Sequence, residues 1–278
     1  MLLVSYDGSA YHGFAAQEDP ELPTVGGVLS ATLGQMVGEA VSLTCAGRTD
    51  AGVHATGQVV HADLPSGRVG RFAARGPGAI SGELPRLATA LSHQLGPSLA
   101  VLRAAVAPAG FDARHSAVAR RYRYDLLRTP WPDPLERHTS WHVPGELDLG
   151  AMRIAADALL GEHDFTAFCR RPPDHEGPLF RRVLDAGWQA RRDGRRLSFE
   201  VEANAFCHHM VRAVVAFLVA VGKGRLTAAE LLASLRAGSR HHGGGLAPPE
   251  GLRLVSVRYP DHLVPGGVFS AGPLPAAP

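Results

Sequence analysis

Strand-type and helix-type segments follow one another in irregular order along this chain. Short apolar or alternating segments, several of them rich in Val, Phe, Trp and Tyr, indicate strands, and apolar residues spaced i, i+3, i+4 and i+7 indicate helices. A regular alternation of strand and helix would favour a parallel sheet, whereas this mixed order favours antiparallel or mixed sheets with helices on one face. The sequence therefore predicts an α+β fold.

The individual elements can be placed from the same patterns. Strands are expected over residues 2–6, 41–45, 53–64, 99–107, 118–128, 180–190, 196–203 and 252–259. Helices are expected over residues 25–37, 84–95, 148–160, 205–221 and 227–237. The start of the last helix is well signalled, because Thr227 and Glu230 have the spacing of a capping box. Loops rich in Gly and Pro are expected over residues 65–78, 170–178 and 264–278.

Length and composition limit the class of protein. The chain has 278 residues, enough for one large domain or two ordinary ones, and its 45% hydrophobic and 19% charged residues exclude a disordered chain. No apolar run approaches the roughly 18 residues of a membrane span, and no basic segment of a signal peptide precedes the first strand. We therefore expect a cytoplasmic protein with no membrane partner.

The cysteines give no sign of a metal site or a disulfide framework. Cys45, Cys169 and Cys207 are far apart, odd in number and lack C-x-x-C spacing. We expect all three thiols to be reduced.

The net charge of +2 hides a strong asymmetry. Residues 1–63 carry one basic residue, Arg48, against seven acidic ones, a net charge of −6, and the remaining 27 basic and 19 acidic residues give +8. Lys223 is the only lysine, so nearly all of the positive charge is arginine, whose planar guanidinium suits phosphate and base edges. A GC-rich coding bias also replaces lysine by arginine, so the position of the arginines has to decide between the two interpretations.

The stretch from Gly47 to His61 contains the first candidate for catalysis. Gly47 and Gly52 bound a turn between two expected strands, and Asp50 follows Arg48 by two residues. An arginine beside a carboxylate keeps it ionised, as a nucleophile or a base requires. The alternative is an aspartate that only caps the turn and pairs with its neighbour.

A second candidate lies in the expected strand over residues 118–128. The two-residue period of a strand puts Arg120, Tyr122 and Tyr124 on one face and Arg121 and Arg123 on the other. Aromatic rings interleaved with arginines can stack a base and hold phosphates. The alternative is a sheet whose tyrosines pack inward and whose arginines are solvated.

A third candidate is the segment from Asn204 to Arg212, at the start of the most apolar expected helix. Cys207, His208 and His209 suggest a metal site, but consecutive residues on a helix diverge and no matching ligand pair stands nearby. Arg212 is an unusual charge among apolar neighbours, which favours an active-site arginine.

These motifs together closely resemble the tRNA pseudouridine synthase A family. The resemblance is carried, in order, by Gly47-Arg-Thr-Asp-Ala-Gly-Val-His54, Ala119-Arg-Arg-Tyr-Arg-Tyr124, Asn204-Ala-Phe-x-His-His-Met-Val-Arg212 and Glu250-Gly-Leu-x-Leu254. Tyr6-Asp-Gly-Ser-x-Tyr11 and Gly161-Glu-His-Asp-Phe-Thr-x-Phe168 add to it. It covers nearly all of residues 1–260.

The resemblance implies a homodimer that isomerises uridine to pseudouridine at positions 38, 39 and 40 of the tRNA anticodon stem-loop, without metal or cofactor. It implies two α/β halves around a basic active-site cleft. We place the first half at residues 1–107 and the second at 108–260, and expect residues 261–278 to be a disordered tail.

The resemblance also assigns site residues. Asp50 is the expected catalytic aspartate, Tyr122 lies against the uracil and is a candidate base for the C5 proton, Arg48 and Arg212 are polar partners, and Leu252 packs in the pocket. The expected substrate-binding residues are Tyr122, Arg120, Arg121, Arg123, His209, Arg212 and Leu252. Whether the aspartate attacks the sugar or the base, or removes a sugar proton, is left open by the sequence.

Some segments depart from the family pattern. Phe14-Ala-Ala-Gln17 stands where members have a tryptophan followed by polar residues, Val25-Gly-Gly27 alters the first helix, and residues 65–86 look like an insertion. The altered first helix and the inserted loop keep an RNA-binding protein that has lost catalysis as an alternative. A His/Cys metalloenzyme is a further alternative, raised by Cys207, His208 and His209.

Overall fold

The computed structural model of the chain describes residues 1–17, 19, 21–73, 82–171, 176–190, 194–238 and 245–270. The chain divides into two compact units. The first comprises Met1–Val118 and Leu254–Pro278, and the second comprises Ala119–Arg253. Both contain antiparallel strand pairs and helices, so the predicted α+β class is confirmed.

The elements of the first unit come mainly from the start of the chain. They are β1 (Leu2–Tyr6), α1 (Val25–Val37), β2 (Thr44–Cys45), β3 (His54–His61), α2 (Ser66–Val69), α3 (Pro85–Leu95) and β4 (Leu99–Ala104). Strand β1 is antiparallel to both β3 and β4, and β2 pairs with β3.

The core of the first unit lies against the β1 sheet. Leu29 and Leu33 of α1 and Leu91 of α3 are fully buried, because these helices have apolar residues three or four positions apart along one face. Helix α1 begins where the Thr24 hydroxyl accepts a hydrogen bond from the Gly27 N–H, at 3.1 Å.

The second unit holds the remaining elements. They are β5 (Ala119–Leu127), β6 (Trp141–His142), α4 (Leu149–Asp157), β7 (Gly161–Asp164), β8 (Phe180–Ala190), β9 (Arg196–Ala203), α5 (Met210–Gly222), α6 (Ala228–Ala237) and the beginning of β10 (Leu252–Arg258). Strands β5, β9, β8 and β7 are antiparallel in that order, and β6 is parallel to β5.

Helix α5 forms the centre of the second unit. Eleven of its thirteen residues are buried, which explains why it is the most apolar helix of the sequence. The capping box predicted for α6 is confirmed, since the Thr227 hydroxyl accepts from the Glu230 N–H while the Glu230 carboxylate accepts from the Thr227 N–H.

Helix α5 starts later than predicted. Residues 205–209 form a loop, and the helix begins at Met210. An apolar periodic run shows that a helix exists but does not fix its first turn, and no side chain caps this one. The strand expected over residues 41–45 is reduced to Thr44–Cys45, and β6 and β7 were not predicted.

The prediction of three reduced cysteines is wrong in this structure. Cys169 and Cys207 form a disulfide across 38 residues of sequence, with their Cα atoms 5.7 Å apart, and Cys45 is free and buried. The pairing depends on the fold of the second unit, which brings the segment after β7 to the loop before α5. Spacing along the sequence carries no sign of it.

The unit boundaries also differ from the predicted ones. The first unit runs to Val118 rather than to residue 107 and regains the chain from Leu254. Residues 261–270, expected in a disordered tail, include the buried Val264 and Phe269, and a β-bridge joins Val268 to Arg258. Residues 271–278 and part of the 65–86 segment lie outside the described residues.

Within the described part of the chain, no helix has the length and apolarity needed to cross a membrane.

Candidate active site

Asp50 lies in the connection between β2 and β3, which we call the aspartate loop (residues 46–53). The loop begins where the Ala46 N–H donates to the Val59 carbonyl at 2.8 Å, and it ends in a turn closed by the Val53 N–H and the Asp50 carbonyl at 3.2 Å. The Asp50 side chain is partly exposed and Arg48 is exposed. The carboxylate is therefore presented at the surface of the first unit by a backbone tied to the sheet at both ends.

Two buried side chains from the sheet reach this loop. The Tyr6 hydroxyl lies 2.8 Å from the Thr49 hydroxyl oxygen, and the Gln58 amide donates to the Gly47 carbonyl at 2.7 Å. Burial raises the pKa of Tyr6, so its hydroxyl stays protonated. Burial also raises the pKa of the Cys45 thiol just before the loop, to about 11.

A second segment packs directly on the backbone of the aspartate loop. The Phe14 N–H donates to the Thr49 carbonyl at 3.1 Å. Gly13 has a φ of +91°, and a Cβ atom there would lie 2.9 Å from the Thr49 carbonyl oxygen. Only glycine suits both the backbone conformation and this close approach. Although Phe14 departs from the family pattern, its backbone supports Thr49, the residue before Asp50.

The opposite end of the loop is supported by a buried histidine. His54, the first residue of β3, accepts the Gly8 N–H at its Nδ1 atom, 3.1 Å away, and the same atom is 3.2 Å from an Asp7 carboxylate oxygen. A Cβ atom at Gly8 would lie 2.1 Å from the Val53 carbonyl oxygen. These contacts join the Asp7-Gly8 turn to the end of the aspartate loop.

Tyr122 is the central aromatic residue of the second unit. Burial alternates over residues 120–124 of β5 as predicted, with Arg120, Tyr122 and Tyr124 buried and Arg121 and Arg123 partly exposed. The ring of Tyr122 meets that of Phe206 edge to face, with centroids 4.9 Å apart. The sequence predicted Phe206 in a helix over residues 205–221, whereas it lies in the loop before α5, next to Tyr122.

Arg120 supports that loop. One of its guanidinium nitrogens donates to the Asn204 carbonyl at 2.8 Å. The Asn204 side-chain oxygen accepts from the backbone N–H groups of Arg182 and Ala205, at 2.9 and 2.8 Å. Arg120 is therefore directed to the protein backbone next to the Phe206 segment.

The arginines on the other face of β5 have acidic partners. Arg121 contacts Asp185, Glu200 and Glu202, and Arg123 donates to Glu200, from its Nε at 2.8 Å. Burial alone would raise the pKa of Glu200, but hydrogen bonds and charge from Arg123, with Arg121, outweigh it and hold the pKa below its ordinary value. The positive charge of these two arginines is balanced by carboxylates of neighbouring strands.

Arg212 contacts the start of the segment of residues 247–252, and Leu252 is the last residue of that segment. The Arg212 guanidinium donates to the Ala247 carbonyl at 2.7 Å, and the Tyr124 hydroxyl donates to the Pro248 carbonyl at 2.7 Å. Burial, together with the charge of Glu250, raises the pKa of Tyr124 and keeps this donor protonated. The segment from 247 onward therefore leads the buried Leu252 into β10 in a fixed position.

His209 has an uncommon backbone conformation. Its φ of 69° is the one positive φ of a non-glycine residue within the described ranges, and its ring lies 4.0 Å from that of His208. Such a conformation is energetically costly, and it occurs often at functional sites.

The predicted site residues are divided between the two units. Arg48 and Asp50 lie in the first unit, and the second unit contains Arg120, Arg121, Tyr122, Arg123, His209, Arg212 and Leu252.

Comparison with known proteins defines the class of protein. A model of a family described as tRNA pseudouridine synthase matches residues 2–81 and 155–260. These ranges include the aspartate loop, Phe206 and Arg212.

Curated relatives extend the match to most of the chain. Proteins called tRNA pseudouridine synthase A from Caulobacter vibrioides, Leifsonia xyli and Frankia casuarinae are 40%, 42% and 43% identical over 260, 266 and 259 residues. These alignments cover 94%, 92% and 92% of this chain and 98%, 90% and 88% of the relatives. The chain belongs to the tRNA pseudouridine synthase family and is an isomerase.

One solved structure also aligns with the chain. It is a chain of the crystal structure of a Cbf5-Nop10-Gar1 complex, 12% identical, with 92% of this chain and 49% of that chain covered. The TM-score is 0.36, which supports no structural conclusion.

Proposed function

We propose that this protein converts uridine to pseudouridine at positions 38, 39 and 40 of the tRNA anticodon stem-loop, with Asp50 as the catalytic carboxylate. The observation that carries the proposal is the aspartate loop itself. It presents the Asp50 carboxylate on a backbone held by Tyr6 and Gln58, in a chain of the tRNA pseudouridine synthase family. Curated relatives named tRNA pseudouridine synthase A support the tRNA substrate.

The reaction is an isomerisation, so the product has the same atoms and the same oxidation state as the substrate. It needs one carboxylate and an enzyme that holds the detached uracil. The N1–C1′ glycosidic bond breaks, the uracil turns, a C5–C1′ bond forms, the C5 proton leaves and N1 gains a proton. Asp50 promotes the cleavage, by attack on the sugar or the base or by removal of a sugar proton. The target base must also leave its stack, which costs a few kcal/mol, roughly.

The other site residues act on the nucleotide or position groups that do. We assign Tyr122 to contact with the uracil and to removal of the C5 proton, and Arg48 to the polar surroundings of Asp50. We assign Arg212, Leu252, His209 and Arg120 to the substrate-binding set. For Arg121 and Arg123, binding to a phosphate has to compete with their carboxylate partners.

The assembly and place of action are part of the same proposal. We propose that the protein acts as a homodimer and that it works in the cytoplasm.

The position of the modified uridines can be tested directly. Three unmodified anticodon stem-loops, each with a single uridine at position 38, 39 or 40, are incubated with the protein, and pseudouridine is mapped by carbodiimide-primed extension. We expect product in all three. A fourth stem-loop with its only uridine in the stem outside these positions is the control, and product there but not at 38–40 would contradict the assignment. No product in any RNA would favour an RNA-binding protein without catalysis.

Binding to tRNA should weaken steeply with salt. Arginine contacts to phosphate release counterions, so the logarithm of affinity falls with the logarithm of salt concentration, by roughly 0.7 to 0.9 per phosphate contact. Filter binding of tRNA to the Asp50→Asn protein between about 50 and 200 mM KCl, a range over which such slopes are readily measured, gives the slope. A flat plot would contradict binding through phosphates.

A further inference from the structure

The two sheet residues that reach the aspartate loop are unusual because they are polar and buried. Tyr6 is 4% exposed and Gln58 is 0% exposed, and they lie in the paired strands β1 and β3. A buried hydroxyl or amide costs free energy unless it is hydrogen-bonded. Both groups make their hydrogen bonds to the aspartate loop, at Thr49 and Gly47.

These contacts act on the residues immediately before Asp50. The Gly47 carbonyl and the Thr49 hydroxyl are fixed to β3 and β1, whose strands are paired with each other. The Gln58 amide nitrogen also lies 3.5 Å from the Tyr6 hydroxyl, so the two contacts are adjacent. The loop backbone is therefore held by side chains of the rigid sheet and not only by its own turn.

The side-chain oxygen of Gln58 indicates that this residue does more than fill space in the core. The Gln58 side-chain oxygen is buried and has no hydrogen-bond partner within the described part of the chain. An apolar residue would avoid that cost but could not donate to the Gly47 carbonyl, so this hydrogen bond to the loop accounts for the amide at position 58.

We propose that Tyr6, Thr49 and Gln58 are positioning residues that fix the orientation of the Asp50 carboxylate for the chemical step. This inference rests on the proposed catalytic role of Asp50. Since Tyr6 stays protonated, its hydroxyl serves as a hydrogen-bonding partner and does not exchange protons during the reaction. A displacement of about 1 Å in a catalytic group can cost roughly 100-fold in rate.

Tyr6→Phe removes one hydroxyl and keeps the ring that packs near Phe14. We expect the single-turnover rate of pseudouridine formation to fall by roughly 10- to 100-fold. The Kd for tRNA should change by less than about twofold, because the buried Tyr6 side chain has almost no surface that an RNA could contact. A loss confined to the rate of the bound complex separates positioning from binding.

Tyr259→Phe is the matched control. Tyr259 is also buried in the first unit, and its hydroxyl donates to the Ala113 carbonyl at 2.7 Å, outside the aspartate loop. We expect both variants to melt at similarly lowered temperatures, while only Tyr6→Phe slows the reaction. An equal loss of rate in both would mean that the effect is general destabilisation, which overturns the proposal.

Substitutions at Thr49 test the same hydrogen bond from its other side. Thr49→Ser keeps the hydroxyl and should retain the rate to within about threefold, whereas the nearly isosteric Thr49→Val should match the loss in Tyr6→Phe. The double variant Tyr6→Phe/Thr49→Val should be no slower than either single variant, because both remove one contact. If the loss of rate in the double variant equals the product of the two single losses, the proposal is overturned. Equal rates for Thr49→Ser and Thr49→Val would overturn it as well.

The outcome can be separated from a failure of the proposed function. If Asp50→Asn forms product at the wild-type rate, Asp50 is not the catalyst and both proposals fall. If Asp50→Asn is inactive and Tyr6→Phe keeps the wild-type rate, only the positioning inference is overturned.

Discussion

Asp50→Asn should form no measurable pseudouridine while it binds tRNA with wild-type affinity. The amide has nearly the same size and keeps hydrogen bonding, but it cannot act as a nucleophile or a base. We expect a fall in rate of roughly 1,000-fold or more. The measurement is mass spectrometry of an unmodified tRNA after incubation, together with filter binding of the same RNA.

Asp63→Asn is the matched control for this variant. Asp63 is an exposed carboxylate of the same unit, after the end of β3 and outside the aspartate loop. It removes the same charge, so its activity should stay near that of the wild type. Normal product from Asp50→Asn would contradict the catalytic assignment, and equal losses in both variants would trace the effect to the charge of the unit.

Gly57→Ala should strongly destabilise the first unit. Gly57 lies in β3, and a Cβ atom there would be 2.1 Å from the carbonyl oxygen of Val255 in β10. Backbone atoms on both sides have to move apart, because no flexible side chain can give way. We expect the free energy of unfolding to fall by roughly 3 kcal/mol. Urea denaturation followed by circular dichroism measures it as a lower midpoint.

Gly187→Ala separates this contact from the general effect of changing glycine in a strand. Gly187 lies in β8, and a Cβ atom there meets no heavy atom within 4 Å. The added methyl group should leave stability unchanged or raise it by about 0.5 kcal/mol, since it restricts the unfolded chain. A midpoint for Gly57→Ala equal to that of Gly187→Ala would mean that β3 and residue 255 do not approach as closely as the structure has them.

Local patterns were sufficient for most of the elements. The helix over 25–37 and the strands over 180–190 and 196–203 have the predicted bounds, and Thr227 and Glu230 form the expected capping box. These features depend on side-chain period and on contacts three or four residues apart, which a sequence displays directly. The start of α5 was predicted too early, because Ala205, Phe206 and Cys207 extend the apolar pattern and no side chain caps the helix before Met210.

The arginines of β5 illustrate the limit of charge counting. Their two faces follow from the strand period, and Arg121 and Arg123 are separated from Arg120 as predicted. Their partners come from β8 and β9, about 60 to 80 residues further along the chain. A local sum of charges cannot include carboxylates that only the sheet register brings opposite.

The sequence by itself determined the α+β class, the order of the main elements, and the motif that makes Asp50 the candidate catalyst. Only the tertiary structure decided the Cys169–Cys207 disulfide and the return of residues 254–270 to the first unit. It also decided the hydrogen bonds from Tyr6 and Gln58 to the aspartate loop. The physical reason is the separation along the sequence between the residues in contact. Helical and strand periods arise between near neighbours, whereas the Tyr6–Thr49 contact spans 43 residues and exists only once β1 and β3 have paired.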